Sequence, residues 1–479
     1  MTRTTLMTLP AALALAAGVI APALSATQAA GAGQPRVSAA PGQRLWVQRY
    51  HGPQRPANSP AGAVLSPDGA TVFVTGTSSA PGKQEYATVA YRAATGARRW
   101  AARYPGKWFF TAASSIAVSP AGNLVFVTGR STRSGTTTDY ATVAYRAATG
   151  TKAWAARYNG PAGGDDTATS VAVSPRGNIV FVTGFSQGTA SSRDYATVAY
   201  RAATGARLWA RRYSLPGRSD STAAALAVSP DGQAVFVTGY TFPPHGHAGY
   251  VTIAYRAATG KAEWHARYDG PGQGDDITSA VKVTPDGSTV LVTGTSYGGP
   301  GTGSDWATVA YRAATGTQRW VSRYTGPGNG TDGASSLAVN PSGTRVYVTG
   351  FSEGRTSGRD CATVAYRTAT GAQVWAKRYT GPGSRTDACS AIATSPDGGK
   401  VFVTGTVTRA GQDGDYLTIA YRAATGAWLW GRRYNGPASS LDRAGAVVAS
   451  ATRVIVTGDS FLVLGNPGMS DFATIAYAP

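Results

Sequence analysis

The chain has 479 residues, 42% of them apolar, and a formal net charge of +20 from 44 Lys and Arg against 24 Asp and Glu. That length and apolar content exclude wholesale disorder and leave room for a large core. Two cysteines and four histidines exclude a disulfide-stapled miniature fold, a multi-cysteine zinc or iron–sulfur centre and a His-rich metal centre.

The first element is a targeting segment. Arg3 is the only charge before Arg36, and Leu6 to Leu24 is apolar and Ala-rich. Small residues follow (SATQAAGAG). A basic start, an apolar stretch and small residues predict a signal peptide over residues 1–30, cleaved within 25–30. Pro10 and Pro22 interrupt the stretch, whereas a spanning helix needs roughly 20 clean apolar residues. No later run is long enough to span, so the mature chain is expected to carry no transmembrane segment. Residues 31–43 read as a short flexible linker, and 44–479 as one domain.

The domain is a single repeat. Tyr91, Tyr145, Tyr200, Tyr255, Tyr311, Tyr366, Tyr421 and Tyr477 end equivalent DYATVAY-type runs at intervals of 54–56 residues. Each period carries four β signals: SSIAVSP, VFVTG, DYATVAY and WAARY, or close variants. No segment has the period of an amphipathic helix. Four strands in about 55 residues predict a propeller blade. Ser66-Pro67-Asp68-Gly69 and its equivalents suit type I turns, with Pro second and Gly last. Ala94-Thr95-Gly96 and its equivalents close the hairpin between strands three and four. The first fourth strand, at Trp46–Tyr50, precedes any first strand, and the last unit stops after its third strand at Tyr477. The N-terminal strand is therefore expected to complete the last blade and hide its edge. The predicted fold is all-β: a single eight-bladed β-propeller of four-stranded antiparallel blades, closed by the N-terminal strand.

Seven units carry YRAATG, or a close variant, with a Trp four residues after the Gly: Trp100, Trp154, Trp209, Trp264, Trp320, Trp375 and Trp430. This pattern resembles the tryptophan-docking repeat of eight-bladed quinoprotein (PQQ-dependent dehydrogenase-like) propellers. The stretch GGDDTATSVAVSPRGNIVFVTG is similar to the SBBP-type bacterial propeller repeat of secreted proteins. The resemblance spans nearly all of 43–479 and implies the fold. It implies no activity by itself. Quinoproteins of this type carry an adjacent cysteine pair and acidic calcium ligands. Here Cys361 and Cys389 are far apart in sequence, so no cofactor is expected and PQQ least of all. The eight repeat tryptophans, Trp46 included, are expected to pack between blades with the indole N–H bonded.

The charge follows the repeat. Eight arginines precede the strand-four Tyr, from Arg49 to Arg433, and seven follow the strand-three Tyr, from Arg92 to Arg422. Strand three opens with an acid in seven units: Glu85, Asp139, Asp194, Asp305, Asp360, Asp415 and Asp471. Cross-strand ion pairs are expected from Glu85–Arg103 round to Asp471–Arg49, each worth roughly 0.2–1 kcal/mol. Gly249 leaves Arg267 without that partner. Arginines spread round a ring, many matched by acids, do not make the basic stripe that nucleic acid requires. Loose, salt-sensitive attachment to anionic cell-wall polymers or membrane surfaces fits better.

A second acid set precedes strand one: Asp166, Asp276, Asp332, Asp387 and Asp442, with Asp220 displaced by one position. These acids are expected at one mouth of the central channel. They serve either as turn-stabilising acceptors or as oxygen ligands for calcium. Cys361 replaces the aromatic that opens strand three elsewhere, and Cys389 stands where other units have small residues such as Ala168. Both fall at strand starts in adjacent blades, which favours a disulfide in an exported chain, with a free thiol as the rival.

Departures from the repeat mark candidate binding loops. They are Trp108, Phe109 and Phe110, then His245 and His247, then Tyr297. The aromatics are read either as stacking platforms or as buried plugs, and two histidines alone are too few for a metal site. The expected function is a secreted, extracellular, non-catalytic binding or scaffold module, monomeric, with a carbohydrate, cell-wall polymer or protein as partner and no nucleic acid. The alternatives are a quinoprotein-like oxidoreductase, or a hydrolase or lyase using the channel-mouth acids.

Overall fold

Val-Phe-Val-Thr and Ala-Thr-Val-Ala-Tyr runs are β-branched and aromatic, and suit strands buried on both faces. The computed structural model describes residues 39–53, 57–80, 82–106, 110–134, 137–188, 192–215, 219–382, 386–409, 412–463 and 469–479. The expected signal peptide and most of the expected linker lie outside these residues. Eight four-stranded antiparallel sheets form, each in simple sequential order except the last. Blade three is typical: Asp166–Val173, Ile179–Gln187, Arg193–Arg201 and Arg207–Tyr213, from the channel outward.

Antiparallel order gives each blade two unlike ends. Strand starts one and three and strand ends two and four lie at one end, called here the loop face. The short turns between strands one and two, and three and four, form the opposite turn face. In the first turn Gly69 N–H donates to Ser66 O at 2.8 Å with φ of +68°. The Asp68 carboxylate accepts from Ser66 Oγ (2.5 Å) and Ala70 N (3.0 Å).

Blades are joined by the repeat tryptophans. Seven of the eight indole N–H groups donate to a carbonyl in the next blade's strand-three turn, as in Trp154 to Ala202 O at 2.8 Å and Trp320 to Thr368 O at 2.8 Å; the bond expected of Trp430 is not made. The glycine of that same turn lies flat on the ring. A Cβ on Gly205 would come within 2.6 Å of Trp154, so glycine is required there for close approach as well as for its φ of +74°.

The last blade is completed by Arg44–Tyr50, which pairs antiparallel with Ser470–Tyr477 from Arg44↔Tyr477 to Tyr50↔Phe472. The missing turn is rebuilt without a covalent link. Gly42 N donates to Ala478 O and Ala478 N to Gln43 O, both at 2.9 Å. Gly42 then covers Trp430 as the other turn glycines cover theirs. The end of the expected linker is thus part of the ring.

Candidate functional site

The loop face carries most of the chemistry-bearing side chains, and the geometry shows how they are used. In each regular blade the strand-four arginine reaches back to the acid that opens strand three. The expected pairs seen among the described residues are Glu85–Arg103 (2.5 Å), Asp139–Arg157 (3.1 Å), Asp194–Arg212 (2.7 Å), Asp305–Arg323 (2.8 Å), Asp360–Arg378 (2.5 Å) and Asp471–Arg49 (3.0 Å). For the seventh position, Arg433 donates to the Tyr379 hydroxyl of the preceding blade at 2.6 Å. Arg267, opposite Gly249, turns to Asp269 at 2.9 Å.

Two partners of these arginines were not foreseen from sequence. Arg323 also donates to Ser296 Oγ (2.6 Å) on strand two and to the hydroxyl of Tyr268 (3.0 Å), the strand-four tyrosine of the previous blade. Arg49 does the same with Ser460 and Tyr434. The Arg-Tyr dipeptide thus couples blades, its arginine gripping its own blade and its tyrosine serving the next. The Ser two residues after the strand-two Gly, present in six of the eight units and replaced by Thr241 and Val407 in the others, was the available signal.

The strand-one acids Asp166, Asp276, Asp332, Asp387 and Asp442 are all buried. Each accepts a backbone N–H from the glycine six residues earlier: Gly160 (2.7 Å), Gly270 (2.6 Å), Gly326 (2.5 Å), Gly381 and Gly436 (2.5 Å). Three accept a second backbone N–H from the end of strand two: Asp276 from Tyr297 at 3.1 Å, Asp332 from Glu353 at 2.7 Å and Asp387 from Thr408 at 2.8 Å. Blade one uses Asn58 there, fully buried, with Ser78 Oγ donating to its Oδ1 at 2.7 Å. Blade two uses Thr111, bonded to Ser131 Oγ at 3.3 Å. Asp220 instead is exposed and accepts from Arg193 N at 3.1 Å. Among the described residues, no group of three or more His, Cys, Asp and Glu is placed to hold a metal ion.

Burial raises the pKa of these five carboxyls, and it carries Asp442 to about 6. A folded pKa above the unfolded 3.8 means that protonation favours the fold. Asp442 therefore contributes stability that is complete below about pH 4 and is lost as pH rises through about 6. Asp442→Asn keeps an acceptor for Gly436 and removes the titration. Melting curves between pH 4 and 7 should show that the variant is flatter than the parent over that window. Parallel curves would contradict the assignment.

Cys361 and Cys389 form a disulfide, with Cα atoms 5.0 Å apart. It joins blade six to blade seven. In other blades the aromatic at this position makes the same link by a hydrogen bond, as Tyr140 does to Ala196 O (3.1 Å) and Trp306 to Phe351 O (2.9 Å).

The described loop candidates do not converge. Trp108 and Phe109 lie outside the described residues. Phe110 is 46% exposed, at the entry to blade two. His245 and His247 are exposed on the blade-four loop, with His247 Nδ1 3.9 Å from Asp275 of blade five. Tyr297 is half-buried and covers Gly272 and Gly274. Phe110, His245, His247 and Tyr297 share the loop face, spread over the blade-two, blade-four and blade-five loops.

A family profile described as outer membrane protein assembly factor BamB matches residues 35–242 and 196–460. The chain belongs to that family. No curated protein sequence matches it. Among solved structures similar to this member are the quinohemoprotein alcohol dehydrogenase of Comamonas testosteroni (13% identity, 91% of this chain and 76% of that one, TM-score 0.55) and ADHIIG of Pseudomonas putida HK5 (14%, 91% and 76%, 0.53). A third is Sqt1 of Chaetomium thermophilum, bound to the N-terminus of ribosomal protein L10 (12%, 91% and 100%, 0.58). Likeness at these identities is of fold alone. The cysteines of this family member form one bond between blades rather than an adjacent pair, and its strand-one acids are taken up by backbone N–H groups.

Proposed function

We propose that the chain is an exported, non-catalytic propeller that serves as a binding or scaffold module at or outside the cell surface. One observation carries this reading. Most of the repeat's acids and arginines on the loop face are taken up in contacts within and between blades, the acids by an arginine or by backbone N–H groups. Groups so committed are poor candidates for proton transfer or nucleophilic attack. What remains free to act is surface: the irregular loops of one face and the exposed side chains of the other. Export is supported by residues 1–30, which have the pattern a signal peptidase reads, and by a disulfide, which persists in oxidising compartments.

The test is the fate of the full chain in its own host. Cell fractionation with N-terminal sequencing should find the protein outside the cytoplasm and starting within residues 26–31. A chain that stays in the cytoplasm with Met1 intact would overturn the reading.

A further inference from the structure

The two sets of repeat arginines part in the folded ring. The arginine before Tyr ends strand four at the loop face, where carboxylates meet it. The arginine after Tyr ends strand three at the turn face. Of the 24 acidic residues in the chain, only Asp68, Asp231, Glu263, Asp286 and Asp397 lie at that end of the blades. Four of the five sit inside strand-one turns, each held by the turn's own Ser or Thr hydroxyl. The remaining nineteen acids lie towards the loop face.

The seven strand-three arginines, Arg92 to Arg422, are all exposed, one in each of seven successive blades. Among the described residues only Arg256 has a carboxylate partner, Glu263 at 3.2 Å. Arg211, Arg345 and Arg432, which reach carbonyl oxygens nearer this face, have no carboxylate partner among the described residues. The exposed Arg98, Arg176 and Arg207 add positive charge there. Among the described residues the uncompensated positive charge is therefore concentrated at the turn face.

We propose that the turn face docks the propeller flat on an anionic phospholipid surface, guanidinium to phosphate. The proposal rests on the reading of the chain as an exported binding module and names the surface it binds. Arginine supplies a planar fork that matches phosphate oxygens in pairs, and 37 of the 44 basic residues are arginine. The arrangement selects the shape of the partner. A threadlike polyanion is held by a stripe or groove, whereas cations set one per blade round a ring meet a partner together only if it extends in two dimensions. A lipid leaflet does. Each basic residue near an anionic leaflet strengthens binding by about fivefold, and the attraction decays within a Debye length.

The experiment is vesicle co-sedimentation with the chain from Gly31 onward, which keeps every ring contact described above, since these begin at Ala40. Binding is expected to phosphatidylcholine vesicles containing phosphatidylglycerol and not to phosphatidylcholine alone. It should fall at least about tenfold as salt is raised from low concentration to about 0.3 M. Replacing Arg92, Arg146, Arg201 and Arg312 together by Gln should weaken it by about a hundredfold or more. Removing the same charge from the loop face, with Arg193, Arg355, Arg359 and Arg443 changed to Gln, should leave it within about threefold. Equal loss from both quartets, or no binding to anionic vesicles at low salt, would overturn the proposal. So would soluble polyphosphate binding more tightly than vesicles at equal phosphate, which would make the partner a thread. Export is read separately by fractionation, so an exported chain that ignores vesicles defeats this proposal and leaves the broader one standing.

Discussion

Asp471→Ala is expected to destabilise the propeller by about 3–5 kcal/mol. Asp471 is fully buried and accepts from Arg49 Nε at 3.0 Å and His51 Nδ1 at 2.6 Å. Arg49 is itself largely covered, and its other bonds run to Tyr434 at 2.9 Å and Ser460 at 3.0 Å. The pair links residues 422 positions apart and locks the strand that closes the ring. Truncating the acid leaves a covered guanidinium without its counter-charge, and that penalty exceeds what the intact pair is worth. Denaturant melts would read the loss. Limited proteolysis adds a second readout, because the closing strand should be released and cut near residue 40. Asp305→Ala breaks an equivalent pair inside a covalently continuous blade. It should lower stability without exposing the N-terminus. An Asp471→Ala protein within about 1 kcal/mol of the parent would refute the closure account.

Trp320→Ala should cost about 3–5 kcal/mol, the range for removing a buried large aromatic. The indole is 9% exposed, donates to Thr368 O and carries Gly371 on its face. Its loss opens a cavity between blades six and five and orphans a carbonyl. Gly371→Ala attacks the same contact from the other side. The added Cβ would lie 2.7 Å from Trp320 and 2.5 Å from Ser322 Oγ, at a φ of +73° that alanine disfavours. Trp428→Ala is the contrast. That ring is 50% exposed, and its removal should cost under about 1 kcal/mol, since surface truncations usually do little. Urea melts of the three variants should therefore fall into two groups. A Trp320→Ala protein as stable as Trp428→Ala would mean that the repeat tryptophans do not hold the blades.

Much of this fold is legible because the repeat states each rule eight times. A lone Tyr-to-Tyr spacing proves nothing, but seven successive spacings of 54–56 residues define the blade and expose the misplaced strand at Trp46. The ion pairs were legible for the same reason, since the hairpin turn fixes which residues face each other. The three-dimensional use of the strand-one acids was less so. The sequence left two roles open for Asp166 and its equivalents, turn-stabilising acceptor or calcium ligand, and in the structure they are buried and accept from the glycines six residues earlier. The sequence does not say on which side of a loop a carboxylate falls. Asn58 was missed because a search for acids passes over the amide that has the same shape. The partition of charge was hidden too. Both arginine sets are periodic, and only strand direction separates one that faces carboxylates from one that faces solvent. The loop candidates were chosen as departures from the repeat, a criterion that finds irregularity without saying which irregular residues meet.

The central claim is that this propeller is an exported binding module, and native mass spectrometry of the protein recovered from its own host tests it most directly. The account predicts a chain beginning within residues 26–31, two hydrogens lighter than the reduced mass because of the Cys361–Cys389 bond, with no further mass attached. A bound quinone or metal on the mature chain would contradict it and place the protein among the enzymes.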